Sequence, residues 1–281
     1  MININSFASR HIGPRNDDIA AMLKIVNCKS LDELIKKTVP EHILFTDKLK
    51  LKPGMSEDFN KVNMQLLSLK NKFKKTYIGL GYHNTITPSV ILRNILENPG
   101  WYTAYTPYQP EVSQGRLEML MNFQQMIIDL TGMDIANASL LDESTAAAEA
   151  MMMAYKIKKS KQHTFCIQNS CHPQTLSVLK TRANPLGIKI IIGYPNEDTF
   201  GCLIQNPDTY GEIENLDKLI SDNKSRNIIS VVAADIMSMV IMKSPGFYDA
   251  DIVIGSTQRF GVPMGFGGPH AAFFATKDEF K

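Results

Sequence analysis

Between residues 164 and 275, short uninterrupted apolar runs alternate with helical stretches, and that alternation leaves few ways to fold. Residues 164–167, 188–192, 202–205, 228–233, 251–254 and 271–275 read as strands, and residues 173–186 and 215–222 as helices. Strands without polar alternation are buried on both faces. Strands separated by helices build a parallel sheet covered on both sides. The predicted class is therefore α/β with a mostly parallel sheet. In such a sheet ligands bind beyond the carboxyl ends of the strands, so residues just after a strand are the first candidates for chemistry.

The sequence ahead of this region is different. Residues 1–75 read as an N-terminal segment of short helices. Asp17 and Asp18 open one, Ser30 with Glu33 forms a capping box for the next, and Ser56 caps a third. Residues 77–110 are rich in Gly, Tyr, Thr, Asn and Pro, and only 88–97 looks helical, with Pro88 at its first position. A longer helix covers 116–131 and stops at Gly132. Another starts near Glu143, and its Ala146, Ala147, Ala148, Ala150 and Met151 suit a packed interface. No closing helix follows 271–275, so residues 76–281 read as an incomplete α/β domain from a longer chain.

Charge excludes some partners. With 30 basic against 28 acidic side chains and a net charge of +2, nothing favours nucleic acid or an anionic membrane. No apolar run approaches the ~18 residues of a membrane span, and the start lacks a secretory pattern. Cys28, Cys166, Cys171 and Cys202 form no C-x-x-C pair and read as reduced thiols of a cytoplasmic protein. The six histidines are scattered, so no metal site is predicted. No zinc-protease, P-loop, nucleophile-elbow or dinucleotide-binding motif occurs.

Four stretches could carry chemistry. Residues 79–88 (GLGYHNTITP) put His83, Asn84 and Thr85 in a glycine-flanked loop, open to a ligand or simply a polar turn. Residues 101–111 (WYTAYTPYQPE) crowd Trp101, Tyr102, Tyr105 and Tyr108 around Thr106, which fits a pocket wall or a loop anchored by its aromatics. Residues 141–149 (LDESTAAAE) place Ser144 and Thr145 at a helix start, where free N–H groups favour phosphate, although Asp142 and Glu143 would repel one. Residues 251–270 (DIVIGSTQRFGVPMGFGGPH) run from a buried strand through Gln258 and Arg259 into a glycine-rich loop. Arg259 is permanently cationic and is no amine nucleophile.

Taken together, the runs 7–15 (FASRHIGPR), 81–88, 99–109 (PGWYTAYTPYQ), 114–118 (QGRLE), 134–143 (DIANASLLDE) and 258–263 (QRFGVP) resemble the decarboxylating glycine dehydrogenases, the P-protein family of the glycine cleavage system. The resemblance covers nearly the whole chain and is to the N-terminal part of the single-chain form. It implies a large domain of the aspartate aminotransferase superfamily (fold type I, pyridoxal-phosphate-dependent transferase-like). It also implies a reaction: glycine is decarboxylated on pyridoxal 5'-phosphate and the aminomethyl group passes to the lipoyl arm of H-protein. The family is built from two related halves, in a dimeric assembly, and the second half carries the Schiff-base lysine. Gln258 and Arg259 stand at the equivalent place here, and a guanidinium cannot form the imine. This chain is then the half without a catalytic residue. By the same resemblance Ser144, Thr145, His172, Asp235, Gln258 and Arg259 occupy degenerate cofactor-site positions. Asp235 sits where the other half holds the pyridine nitrogen, and His172 near where it stacks on the ring. His83, Asn84, Thr85, Tyr102, Tyr105, Thr106 and Tyr108 would line the substrate pocket. An alternative is a non-catalytic module for dimerisation or H-protein docking.

Overall fold

The computed structural model describes residues 7–281 apart from residues 12, 48, 103–105, 159–161 and 169. The chain divides into two units, Met1–Lys75 and Thr76–Lys281.

The first unit holds α1 (Phe7–His11), α2 (Asn16–Ile25), α3 (Leu31–Thr38) and α4 (Glu57–Ser68). Side-chain caps start the last two: Ser30 Oγ accepts from the Glu33 N–H at 3.1 Å, and Ser56 Oγ accepts from the Phe59 N–H at 3.3 Å. The expected reciprocal arm of the first box is displaced by one residue. The Glu33 carboxylate takes the N–H of Lys29, at 2.7 Å, instead of that of Ser30.

The second unit begins with α5 (Ser89–Leu96), for which Pro88 is the residue just outside the helix, not its first residue. Then come α6 (Pro99–Tyr102), α7 (Gln114–Thr131), β1 (Ile135–Ala136), α8 (Glu143–Lys158), β2 (Thr164–Ile167), α9 (Pro173–Ala183), β3 (Lys189–Ile192), β4 (Thr199–Asn206), α10 (Leu216–Ser225), β5 (Ile229–Ala234), β6 (Ile252–Ser256) and β7 (Ala272–Thr276). Gly132 ends α7 at φ +69°, the left-handed conformation that glycine adopts without a Cβ penalty.

Seven strands form one sheet in the order β1-β7-β6-β5-β4-β2-β3. Strands β3, β2, β4, β5 and β6 run parallel, while β7 is antiparallel to both β6 and β1. The reversal at β7 has a local cause. Between β6 and β7 there is only a 3-10 turn and the glycine loop, and no crossover helix returns the chain to the starting edge. The last strand is not left at an edge, because β1 pairs with its outer side. Strand β4 has 8 residues, longer than the expected 202–205, since Thr199 and Asn206 at its ends are buried despite their polarity. Gly201 within it is needed for space: a Cβ there would come to 2.9 Å of the Phe165 ring.

Apolar layers cover both faces. On one, Ala147, Met151 and Leu179 from α8 and α9 pack on Phe165, Phe200, Leu203 and Val231. On the other, Ile127 of α7 and Leu216 and Ile220 of α10 pack on Ile204, Val232, Val253 and Phe273. This sandwich fixes the carboxyl ends of β2, β4, β5 and β6 beside the first turns of α8 and α9. Among the described residues, no helix is long and apolar enough to cross a membrane.

Candidate functional site

A cleft of about 370 Å³ opens at that edge of the sheet. Asp235 follows β5 directly and Arg259 lies in the 3-10 turn between β6 and β7. Their side chains meet as a fork: Arg259 Nε donates to Asp235 Oδ1 at 3.1 Å, and Nη2 donates to Oδ2 at 2.6 Å. Such a bidentate pair fixes geometry as well as charge. Gln258 beside it is buried, and its Oε1 accepts the His83 N–H at 3.0 Å. The His83 ring reaches to 4.0 Å of Asp235 Oδ2. Burial, and then the Arg259 cation, hold its pKa below the usual imidazole value, against the pull of Asp235.

On the opposite wall His172 precedes α9, with its ring Nδ1 3.0 Å from Thr209 Oγ1. Burial lowers its pKa too, with Asp208 opposing. Glu143 forms the floor. Its carboxylate accepts from Gln205 Nε2 at 3.2 Å and from the Ser256 N–H at 3.2 Å. It borders the cleft but is largely covered by protein, and that desolvation pushes its carboxyl up to about 7. Burial and the nearby Glu143 charge push the Cys171 thiol up to about 12, so it is no nucleophile.

The start of α8 is closed by its own residues. Asp142 Oδ1 takes the Thr145 N–H at 2.6 Å, and Ser144 Oγ pairs with Thr175 Oγ1 at 3.1 Å. Ser144 borders a smaller adjoining cavity, whereas Thr145 borders neither.

The fold thus brings His83, His172, Asp235 and Arg259 to one cleft, with Gln258 beneath it. Thr85 turns inward with them, whereas Asn84 is exposed. Tyr102, Thr106 and Tyr108 are exposed and lie outside the cleft. Tyr105 lies outside the described residues. Sequence reasoning missed Glu143, Gln205 and the turn around Thr209. Glu143 reads as an ordinary first-turn acid, and only the packing of α8 on the sheet reveals that it is largely covered.

A sheet in this strand order, sandwiched by helices and with its polar cleft at the carboxyl edge, defines a large domain of fold type I, the aspartate aminotransferase superfamily class. A crystal structure titled glycine decarboxylase (P-protein) of the glycine cleavage system, in inhibitor-bound form, superposes with a TM-score of 0.86 and 32% identity, covering 95% of this chain and 62% of that one. The family profile described as glycine cleavage system P-protein matches residues 9–281. The chain is 53% identical over 283 residues to the glycine dehydrogenase (decarboxylating) of Nostoc punctiforme, and 56% identical over 279 residues to that of Pelagibacter ubique. These alignments cover 99% and 98% of this chain but 29% of each relative. The chain belongs to the glycine cleavage system P-protein family.

The cleft does not suit pyridoxal phosphate. Among the described residues no lysine lines it. Asp235, which the resemblance sets at the place of a pyridine-nitrogen acid, is already bound by Arg259. The helix start that would hold a phosphate carries Asp142 and Glu143 and has its Ser144 hydroxyl turned to α9.

Proposed function

We propose that this chain is the N-terminal part of a glycine decarboxylase and lacks the Schiff-base lysine. Glycine is decarboxylated on pyridoxal phosphate, and the aminomethyl group passes to the lipoyl arm of H-protein. The Schiff-base lysine is supplied from outside residues 1–281, by the second half of the P-protein. The cofactor supplies the electron sink, and this part supplies orientation. One observation carries the reading: the position after β6 that calls for a transferable amine holds a guanidinium already paired with Asp235.

In this reading residues 1–75 are an N-terminal helical segment and residues 76–281 the large domain of the half without the lysine. The assembly is dimeric and cytoplasmic. The pocket walls contributed to the other half come from the 79–88 and 101–108 loops, through His83, Asn84, Thr85, Tyr102, Tyr105, Thr106 and Tyr108. Two features support this. Along residues 82–87 exposure alternates, so Asn84 faces away from its own domain while His83 and Thr85 turn inward and set the loop's position from behind. The Thr85 hydroxyl is enclosed yet has no partner among the described residues, an arrangement that normally costs about 1–3 kcal/mol.

The test is glycine–bicarbonate exchange by the full-length protein. His83→Ala and Asn84→Ala should each lower it about tenfold or more with the melting temperature unchanged. Unaltered exchange in both would contradict the reading and favour a module for dimerisation or H-protein docking.

A further inference from the structure

The groups at the cofactor-equivalent positions are committed to the chain itself, and most of those commitments converge on one loop. The 79–88 loop begins with Gly79, Leu80 and Gly81 at φ +63°, +56° and +82°. Leu80 is not a glycine, and left-handed backbone costs an L-residue roughly 1–2 kcal/mol. The surroundings must hold such a turn. Five contacts do so. Gln174 Nε2 donates to Leu80 O at 2.7 Å. The His172 ring lies against Gly81, where a Cβ would come to 3.0 Å of Nε2. Gln258 Oε1 accepts the His83 N–H at 3.0 Å. The His83 ring stands 4.0 Å from the Asp235 carboxylate that Arg259 orients. Thr87 Oγ1 donates to Gly261 O at 2.5 Å.

We propose that the vestigial cofactor cradle is a loop clamp: Gln258, His172 and the Arg259–Asp235 pair hold the 79–88 loop where another half of the fold would hold a cofactor. Gln258 and Arg259 are thereby positioning residues. They touch no reacting atom and act through the outward face formed by Tyr82, Asn84 and Ile86. The replacement of an imine-forming lysine by arginine then has a purpose. A guanidinium satisfies both carboxylate oxygens of Asp235 at once and leaves the acid fixed beside His83, which a single amine on a flexible stem does less well. That the clamped loop serves catalysis rests on the function proposed above. That it is clamped does not.

Hydrogen exchange on the full-length protein, with glycine–bicarbonate exchange measured in parallel, tests this. Gln258→Ala removes the acceptor for the His83 amide, and Thr87→Val removes the bond to Gly261 from the loop side, so one variant remains should the other fail to fold. Both should speed exchange of the amides of residues 81–87 about tenfold or more while amides of β5 and β6 keep their rates. Thr87→Ser should restore the slow rate. Unchanged loop amides in a folded variant would overturn the clamp, and so would acceleration spread evenly over loop and sheet. Faster loop amides with full enzymatic activity would uphold the clamp and sink the pocket-wall reading instead.

Discussion

The two ends of the chain use apolar residues in different ways. Among the described residues none before Ile127 is buried, although Phe45, Phe59, Phe73, Ile86 and Val90 lie there. From β2 onward the strands β2, β4, β5 and β6 are buried at every position. Apolar content alone therefore does not make a core. A strand or helix buries its apolar face only when a second layer is supplied, and here the sheet supplies it for α7 to α10.

The largest effect that can break this contrast lies in the sheet. Phe200→Ala, at a fully buried ring packed on Phe165 and Tyr155, should lower stability in urea by about 3–5 kcal/mol. A loss under about 1 kcal/mol would mean the core is looser than its burial implies.

Next comes the acid on the cleft floor. The Glu143 carboxyl is raised from 4.5 to about 7, so between those values the folded chain keeps a proton that the unfolded chain has released. Its contribution is fully present below about pH 4.5 and is lost as pH rises through 7, up to on the order of 3 kcal/mol. Glu143→Gln should flatten the stability profile across that window. An unchanged slope would show the carboxyl to be better solvated than its position indicates.

Arg259→Met should cost about 2 kcal/mol, because it strands a partly buried Asp235. The figure is set below that of a fully buried pair because both side chains keep some solvent contact. Arg259→Met combined with Asp235→Asn should recover most of the loss. At the other pole, Ile86→Ala removes a side chain that is 95% exposed and should change stability by no more than about 0.5 kcal/mol. A loss comparable to that of Phe200→Ala would erase the contrast.

Much of the α/β unit was legible in the sequence because its strands are continuous apolar runs and its helices carry plain stop signals such as Gly132. What was not legible depended on distant partners. Strand β1 has only two residues, too few to show a period. The antiparallel course of β7 follows from a connection without a helix, not from the strand's own composition. In the cleft, Arg259 was marked by its own chemistry at a strand end, whereas Asp235 and Gln258 were marked only by the family resemblance. The bond from Gln258 to His83 spans 175 residues, and the covering of Glu143 comes from α8 pressing on strand ends, and neither leaves a local trace.

Everything turns on Arg259, a guanidinium paired with Asp235 where an imine-forming amine would have to stand, so residues 1–281 hold no cofactor covalently. Borohydride reduction of the cofactor-loaded full-length protein, followed by peptide mapping, tests it directly. The account predicts no reduced pyridoxyl group on any lysine between residues 1 and 281, and a labelled lysine within that span would contradict it.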